Sequence, residues 1–281
     1  NAWIKYGFIM ALLVLLMLSI CYMNGRKAKL VDEVSENDSQ DEEEAIPLKK
    51  SIPMLFKNKY WVILILFNLI TQITNSIAAT SGTYYCKWIF GNDNLVALAG
   101  ALGFFATLVG FVVSKPIIAK LGVRKTIDFG VLGAAFTALI RCIIPTNFKV
   151  YIAVSVIGSF VQIPLMCLYG VLLAMVIDYN EYTYYNKMVG VSSGAIGIGT
   201  KIGSGVGSVI LTACLALGAY NPDLEVATTS MRYAIYAFSN YLPLIINLGL
   251  FVLFRFFDLE EKLPAIHEEL ARRRSQKSTE Q

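Results

Sequence analysis

The sequence predicts an all-α membrane protein of about seven transmembrane helices, and two observations and one constraint carry that reading. The 281 residues are 56% hydrophobic and only 16% charged, whereas soluble domains are about a quarter charged. The apolar residues are gathered into blocks long enough for the roughly 20-residue helix that crosses a bilayer. A backbone exposed to lipid must satisfy its own hydrogen bonds, so these blocks are expected as helices.

The blocks are residues 3–23, 60–83, 95–113, 126–144, 151–177, 191–217 and 233–257. Four parts follow: a leading span (1–23), a central loop (24–59), a six-helix set (60–257) and a polar tail (258–281). The chain opens on Asn1, beside the first block, with neither a basic leader nor a small-residue cleavage site. It therefore reads as beginning inside a longer protein. Five cysteines (Cys21, Cys86, Cys142, Cys167, Cys214) are scattered one per region with no CxxC pair, and they read as small buried side chains rather than a disulfide framework.

Basic residues alternate from link to link. Arg26, Lys27 and Lys29 follow the first span, and Lys49, Lys50, Lys57 and Lys59 precede the second. The next link, 91–94, has none, while the following one carries Lys115, Lys120, Arg124 and Lys125. Link 145–149 has one, and the tail carries Lys262, Arg272, Arg273, Arg274 and Lys277. The rich side is expected to be cytoplasmic, which puts Asn1 outside and the C-terminus inside. The net charge of +4 is thus a topology signal and gives no reason to expect a nucleic-acid partner. The acidic run Asp32–Glu44 reads as a solvated linker. A lone span, a long loop and six further spans suggest the second half of a twelve-span carrier, whose halves each hold a three-plus-three repeat.

Lys201 is the strongest single signal. It stands about ten residues into its span, roughly 15 Å from the end at helical rise, near the middle of a ~30 Å core where a lysine is expensive and marks a site. No Asp or Glu lies within the core of any span to pair with it. The structural alternative is a lysine that locks two helices or snorkels. On the same helix Gly199, Gly203 and Gly207 recur every four residues, a small face that lets another helix approach. Gly203-Ser204-Gly205 lacks the context of a phosphate loop.

The second span carries a polar stripe, Asn68, Thr71, Gln72, Asn75 and Ser76, at helical spacing. Tyr84, Tyr85 and Trp88 follow near its end. Amides and hydroxyls there suit a polyhydroxylated ligand, and aromatic faces suit a sugar ring. The stripe reads equally well as interhelical hydrogen bonding, and the aromatics as an interfacial belt. Asp178 and Glu181 sit three apart in Asp178-Tyr179-Asn180-Glu181-Tyr182 with Lys187 beyond, a gating or helix-end arrangement rather than a catalytic acid pair. The only histidine is His267, which leaves no HExxH or histidine-cluster metal site and no reading as an enzyme of that kind.

Together these residues resemble the glycoside–pentoside–hexuronide:cation symporter family, the melibiose-permease-like group of the major facilitator superfamily. The resemblance runs over nearly the whole chain. It is carried by Ile177-Asp178-Tyr179-Asn180-Glu181-Tyr182, by Lys201 in a glycine-rich span ending Leu217-Gly218-Ala219-Tyr220, by Ala119–Lys125, and by Thr83-Tyr84-Tyr85 with Gly91-Asn92. Two departures stand out: Met175 where relatives often carry a second Asp, and Lys187-Met188-Val189 where an Arg-x-Glu pair often follows.

The resemblance implies that the last six spans form the C-terminal half of a major facilitator fold. It implies cation-coupled symport of a sugar or glycoside by alternating access in the cell membrane, with the coupling cation, Na+ or H+, bound mainly by an N-terminal half outside this chain, and no other cofactor. Lys201, Asn68, Gln72, Asn75, Tyr84 and Trp88 become candidate substrate or cation residues. Asp178, Glu181, Lys187, Arg124 and Lys125 become candidate gating residues. The competing readings are a same-fold carrier of a non-sugar solute, such as a lipid-related compound, and a non-transporting membrane scaffold.

Overall fold

Asn58 shows how the bundle is tied together by its sequence. Its side chain caps helix α3 (Lys59–Trp88), accepting from the backbone N–H groups of Tyr60 at 2.9 Å and Trp61 at 3.3 Å. Its amide nitrogen also donates to Asn180 Oδ1 at 2.8 Å. The computed structural model describes residues 2–35 and 47–280. Residues 36–44 of the acidic run, and Asn1, on which the outward placement of the first span turned, lie outside the described residues.

The chain divides into two units, Asn1–Ala45 and Ile46–Gln281. In the first, helix α1 (Ala2–Ser35) is apolar on every face across its span, and its large hydrophobic side chains from Phe8 to Met23 are exposed. Such a helix belongs in lipid or against other membrane helices. The second unit opens with α2 (Leu48–Lys57), inside the segment read as loop. Ten residues with apolar side chains on one face make an amphipathic surface helix, a pattern too short to register as a span.

After α3 come α4 (Leu95–Ile143), α5 (Phe148–Tyr184), α6 (Val189–Leu217), α7 (Thr229–Tyr236), a π-helical turn (Ala237–Tyr241), α8 (Leu242–Phe254) and α9 (Leu259–Glu280). Six helical stretches are long and apolar enough to cross a membrane, and one of them is the 49-residue α4. At 1.5 Å per residue that is about 73 Å, more than twice a bilayer core. Gly122 resolves it. With φ 76° and ψ 178° it turns a corner inside α4, and only glycine reaches that backbone region without strain. The two legs of α4 match the two apolar blocks in the sequence, so the described residues hold the seven spans predicted.

The six spans of the second unit form two sets of three. The set α3 and the two legs of α4 precedes the set α5, α6 and α7–α8. α3 packs along α6, and the first leg of α4 packs along α5, where Gly110 faces Ile163. Each set's first helix thus meets the other set's second, the reciprocity expected of a three-plus-three repeat.

Two ends of the bundle can be told apart. At the basic end, α9 lies across the helix termini. Lys59 and Lys262 both pair with Asp258, at 2.8 and 2.7 Å, and Tyr60 donates to the same carboxylate. The Lys262 and Lys59 side chains hold the Asp258 carboxyl well below the usual carboxylate range. At the opposite end Tyr85, stacked on Tyr151, donates to the Pro145 carbonyl at 2.7 Å.

Glu260 secures the tail. Its two carboxylate oxygens accept from the backbone N–H groups of Val123 and Arg124, each at 2.9 Å, at the start of the second leg of α4. A carboxylate there satisfies orphan donors and meets the positive end of the helix. Glu260→Gln is expected to weaken attachment of α9 by about 1 kcal/mol. Hydrogen exchange should show faster exchange at the Val123 and Arg124 amides, with the middle of α5 unchanged.

Candidate functional site

The polar stripe of α3 opens on a cavity of about 230 Å³ near the middle of the bundle, enclosed by α3, α5 and α6. From α3 come Phe67, Asn68, Thr71, Gln72 and Asn75; from α5, Gln162, Leu165, Met166 and Tyr169; from α6, Ile196 and Thr200. Helical spacing brings the α3 residues to one side. The α3 side is mostly amide and hydroxyl, and the α5 side sets Gln162 and Tyr169 among aliphatic side chains.

The polar groups divide into committed and free. The Asn68 amide nitrogen donates to the Ile196 carbonyl at 2.9 Å and to Thr200 Oγ1 at 3.1 Å, so Asn68, 4% exposed, locks α3 to α6 at the rim of the cavity. The amides of Gln72, Asn75 and Gln162 make no hydrogen bond among the described residues. Two buried hydroxyl oxygens that line the space, on Thr71 and Tyr169, also lack a partner. Buried polar groups are nearly always satisfied; these two hydroxyls have no partner among the described residues, and the half-buried amides beside them leave donors and acceptors open to the cavity.

The close approach of α3 and α6 comes from the glycine face. A Cβ on Gly203 would lie 2.6 Å from the Leu69 carbonyl oxygen, and one on Gly207 2.7 Å from that of Ile73. Ser76 fills the seam, donating to the Ser204 carbonyl at 2.9 Å.

Lys201 follows Thr200 but does not line the cavity. One residue is a turn of about 100° around a helix, and its side chain projects, exposed, from the flank of α6. It forms no ion pair among the described residues, and around Gly194, Gly197 and Gly205 on the same helix there is open space. Tyr84 and Trp88 also lie away from the cavity. They pack edge-on against Tyr220 with ring centroids 5.4 and 5.8 Å away, in the aromatic cluster of the end opposite the tail. Of the six candidate substrate or cation residues, the fold brings Asn68, Gln72 and Asn75 together and leaves Lys201, Tyr84 and Trp88 outside.

The candidate gating residues meet at the basic end, and the tail joins them. Asp178 contacts His267 at 2.9 Å, Glu181 pairs with Arg274 at 3.0 Å, and Arg124 lies 3.8 Å from Glu261. Lys125 is exposed and Lys187 half-buried. Between the two acids, Asn180 is fully buried. It accepts from Asn58 and donates to Ser192 at 3.5 Å, linking the starts of α3 and α6 to the end of α5.

Sequence reasoning passed over Asn180, Tyr169, Gln162 and Thr200. Asn180 was the one legible case, a neutral polar residue placed where the helix turns its charged neighbours outward. Gln162 and Tyr169 lie singly on an apolar helix, Thr200 is overshadowed by Lys201 beside it, and nothing in the sequence says that these residues face the stripe of α3.

A family model described as MFS/sugar transport protein matches residues 1–261. The chain is similar to a putative glycoside/cation symporter, YagG, of Escherichia coli (strain K12), with 19% identity over 80% of this chain and 50% of that protein. It is similar to an isoprimeverose transporter of Lactiplantibacillus pentosus, with 26% identity over 78% of this chain and 44% of that protein. An uncharacterized symporter, YnaJ, of Bacillus subtilis (strain 168) is 23% identical over 79% and 48% respectively. The chain spans about half the length of the curated relatives it matches.

Proposed function

Because the chain belongs to the MFS/sugar transport protein family, we propose that it is the C-terminal half, with one preceding span, of a carrier that moves a sugar or glycoside with Na+ or H+ by alternating access. The observation that carries this reading is the cavity itself: Gln72, Asn75 and Gln162 with unengaged amides, Thr71 and Tyr169 with unengaged hydroxyls, all in the middle of apolar helices. Amides offer a donor and an acceptor each, which matches the paired needs of sugar hydroxyls. Phe67 on α3 and Leu165 and Met166 on α5 suit the apolar face of a pyranose or the aglycone of a glycoside.

In this reading the basic end is cytoplasmic, in the plasma membrane, by the excess of Lys and Arg in its links. Asp178, Glu181, Arg124 and the tail then form the charged layer of the inner gate. Lys125 and Lys187 belong to the same layer. Lys201 reaches the other half of the carrier, where the coupling cation is held mainly by carboxylates outside this chain. The similarity to a glycoside/cation symporter and to an isoprimeverose transporter supports a glycoside over a lipid-like solute.

The test is counterflow in proteoliposomes holding the full-length carrier, with a panel of neutral mono- and disaccharides and glycosides. Saturable exchange of at least one neutral glycoside is expected, with loss of that exchange in Gln72→Leu at equal reconstitution. Exchange of none of the panel, or wild-type exchange by Gln72→Leu, contradicts the assignment.

A further inference from the structure

A second, half-open cavity, of about 280 Å³, lies toward the end opposite the tail, lined by α3, both legs of α4, α5, the π-helical turn and α8. Gln162 borders both cavities. The distinctive group of the second cavity is Arg141, two residues before the end of α4. The side chain turns into the bundle rather than out to the interface. One terminal nitrogen donates to Ser155 Oγ at 3.2 Å, and the guanidinium carbon lies 5.3 Å from the centre of the Tyr151 ring. Arg141 Nε is buried with no hydrogen-bond partner. No carboxylate lines the cavity, and Arg141 forms no ion pair among the described residues.

The neighbouring backbone is also specialised. The turn Ala237–Tyr241 is π-helical, a form that recurs at functional sites because it costs regular helix pairing. It is anchored on Arg141: the Asn240 amide nitrogen donates to the Arg141 carbonyl at 3.3 Å and to the Tyr85 hydroxyl at 3.1 Å. The turn presents Ser239 to the cavity. Ser239 is only 7% exposed, and its hydroxyl has no partner. Thus a cation without a counter-ion and an unengaged buried hydroxyl border one space, with Ser81, Thr137 and Ser159 beside them.

A guanidinium stays protonated at any physiological pH. Inside a membrane protein a charged side chain pairs with an opposite charge, with backbone carbonyls or with water in a cavity. Tyr151 stabilises its face and Ser155 occupies one donor, but neither carries charge. A carboxylate matches the donor fork of arginine in two parallel bonds, and the hydroxyl lining matches a ligand that carries hydroxyls of its own. We propose that this outer cavity is an anion site, distinct from the mid-bundle cavity, that takes the carboxylate of a small hydroxylated acid through Arg141.

The experiment is equilibrium dialysis of radiolabelled gluconate against the purified full-length carrier, with sorbitol and chloride as competitors. Sorbitol has a similar polyol skeleton without the charge, and chloride has the charge without the fork. Saturable binding is expected, displaced by unlabelled gluconate and not by sorbitol or chloride at equal concentration. Arg141→Gln is expected to weaken it by at least about tenfold, the loss of one charge-assisted pair. Ser239→Ala removes only an unengaged hydroxyl, so its fold is retained, and it is expected to weaken binding about threefold.

Absence of saturable binding overturns the proposal, and so does equal displacement by chloride or by sorbitol. Should Arg141→Gln fail to fold, Ser239→Ala decides, and wild-type affinity in that variant also overturns it. Counterflow of neutral glycosides, measured on the same preparations, reports separately on the mid-bundle cavity.

Discussion

Lys201→Met is expected to abolish cation-driven sugar uptake while the protein still inserts and folds. An ammonium in the middle of a span is unfavourable unless it is paired or hydrated. Within the described residues Lys201 has no partner, and its flank of α6 is open and lined by glycines. Another helix fits against that flank without obstruction. In the proposed carrier a carboxylate from the other half meets the lysine there and is shared with the coupling cation. Removing the lysine breaks a pair whose loss costs about 2 kcal/mol or more, a fall in coupled uptake of at least about thirtyfold. The check is uptake driven by a sodium or proton gradient, in vesicles matched for carrier content. Uptake at the wild-type rate in Lys201→Met would show that the lysine only fills the flank of its helix.

Gly203→Val is expected to be the most destabilising of the single changes considered. The added Cβ would lie 2.6 Å from the Leu69 carbonyl oxygen and 2.9 Å from Gln72 Cβ, so α3 and α6 must move apart. Overpacking of this kind costs about 1–3 kcal/mol. It also stretches the bonds from Asn68 to Ile196 and Thr200 that close the cavity wall. Gly205, two residues on, has nothing within 4 Å of its Cβ position. The comparison is therefore internal to one helix. In thermal melting of the purified full-length protein, Gly203→Ala and Gly203→Val should melt progressively lower, and Gly205→Ala should match wild type. Equal melting of Gly203→Ala and Gly205→Ala would show that the two helices do not touch at Gly203.

The spans and their order were legible because a 20-residue apolar block has few other uses, and the corner at Gly122 falls in a link already marked by Lys120, Arg124 and Lys125. The stripe Asn68, Gln72 and Asn75 was legible because its period is that of one helix. What lies across from it was not. Gln162, Tyr169 and Thr200 reach the cavity from two other helices, and contacts between helices follow from packing that no single-helix pattern encodes. Lys201 was legible as a mid-span charge, but its direction depends on the rotation of α6, which the glycine face sets by docking on α3. Tyr84 and Trp88 lie too far along α3 to reach the middle of the bundle. Glu260 and Arg141 escaped notice for the same reason: their roles rest on backbone groups and hydroxyls distant in sequence.

The central claim, that Gln72, Asn75 and their neighbours hold the transported sugar, is tested most directly by substrate protection. Asn75→Cys is introduced into the full-length carrier with its native cysteines replaced, and labelling by a membrane-impermeant thiol reagent is followed with and without a glycoside that gives counterflow. Cys at position 75 is expected to be labelled, the glycoside to slow that labelling in a saturable way, and a control cysteine at Ile202, exposed on α6, to be unaffected by sugar. Labelling of position 75 at the same rate with saturating glycoside would contradict the claim.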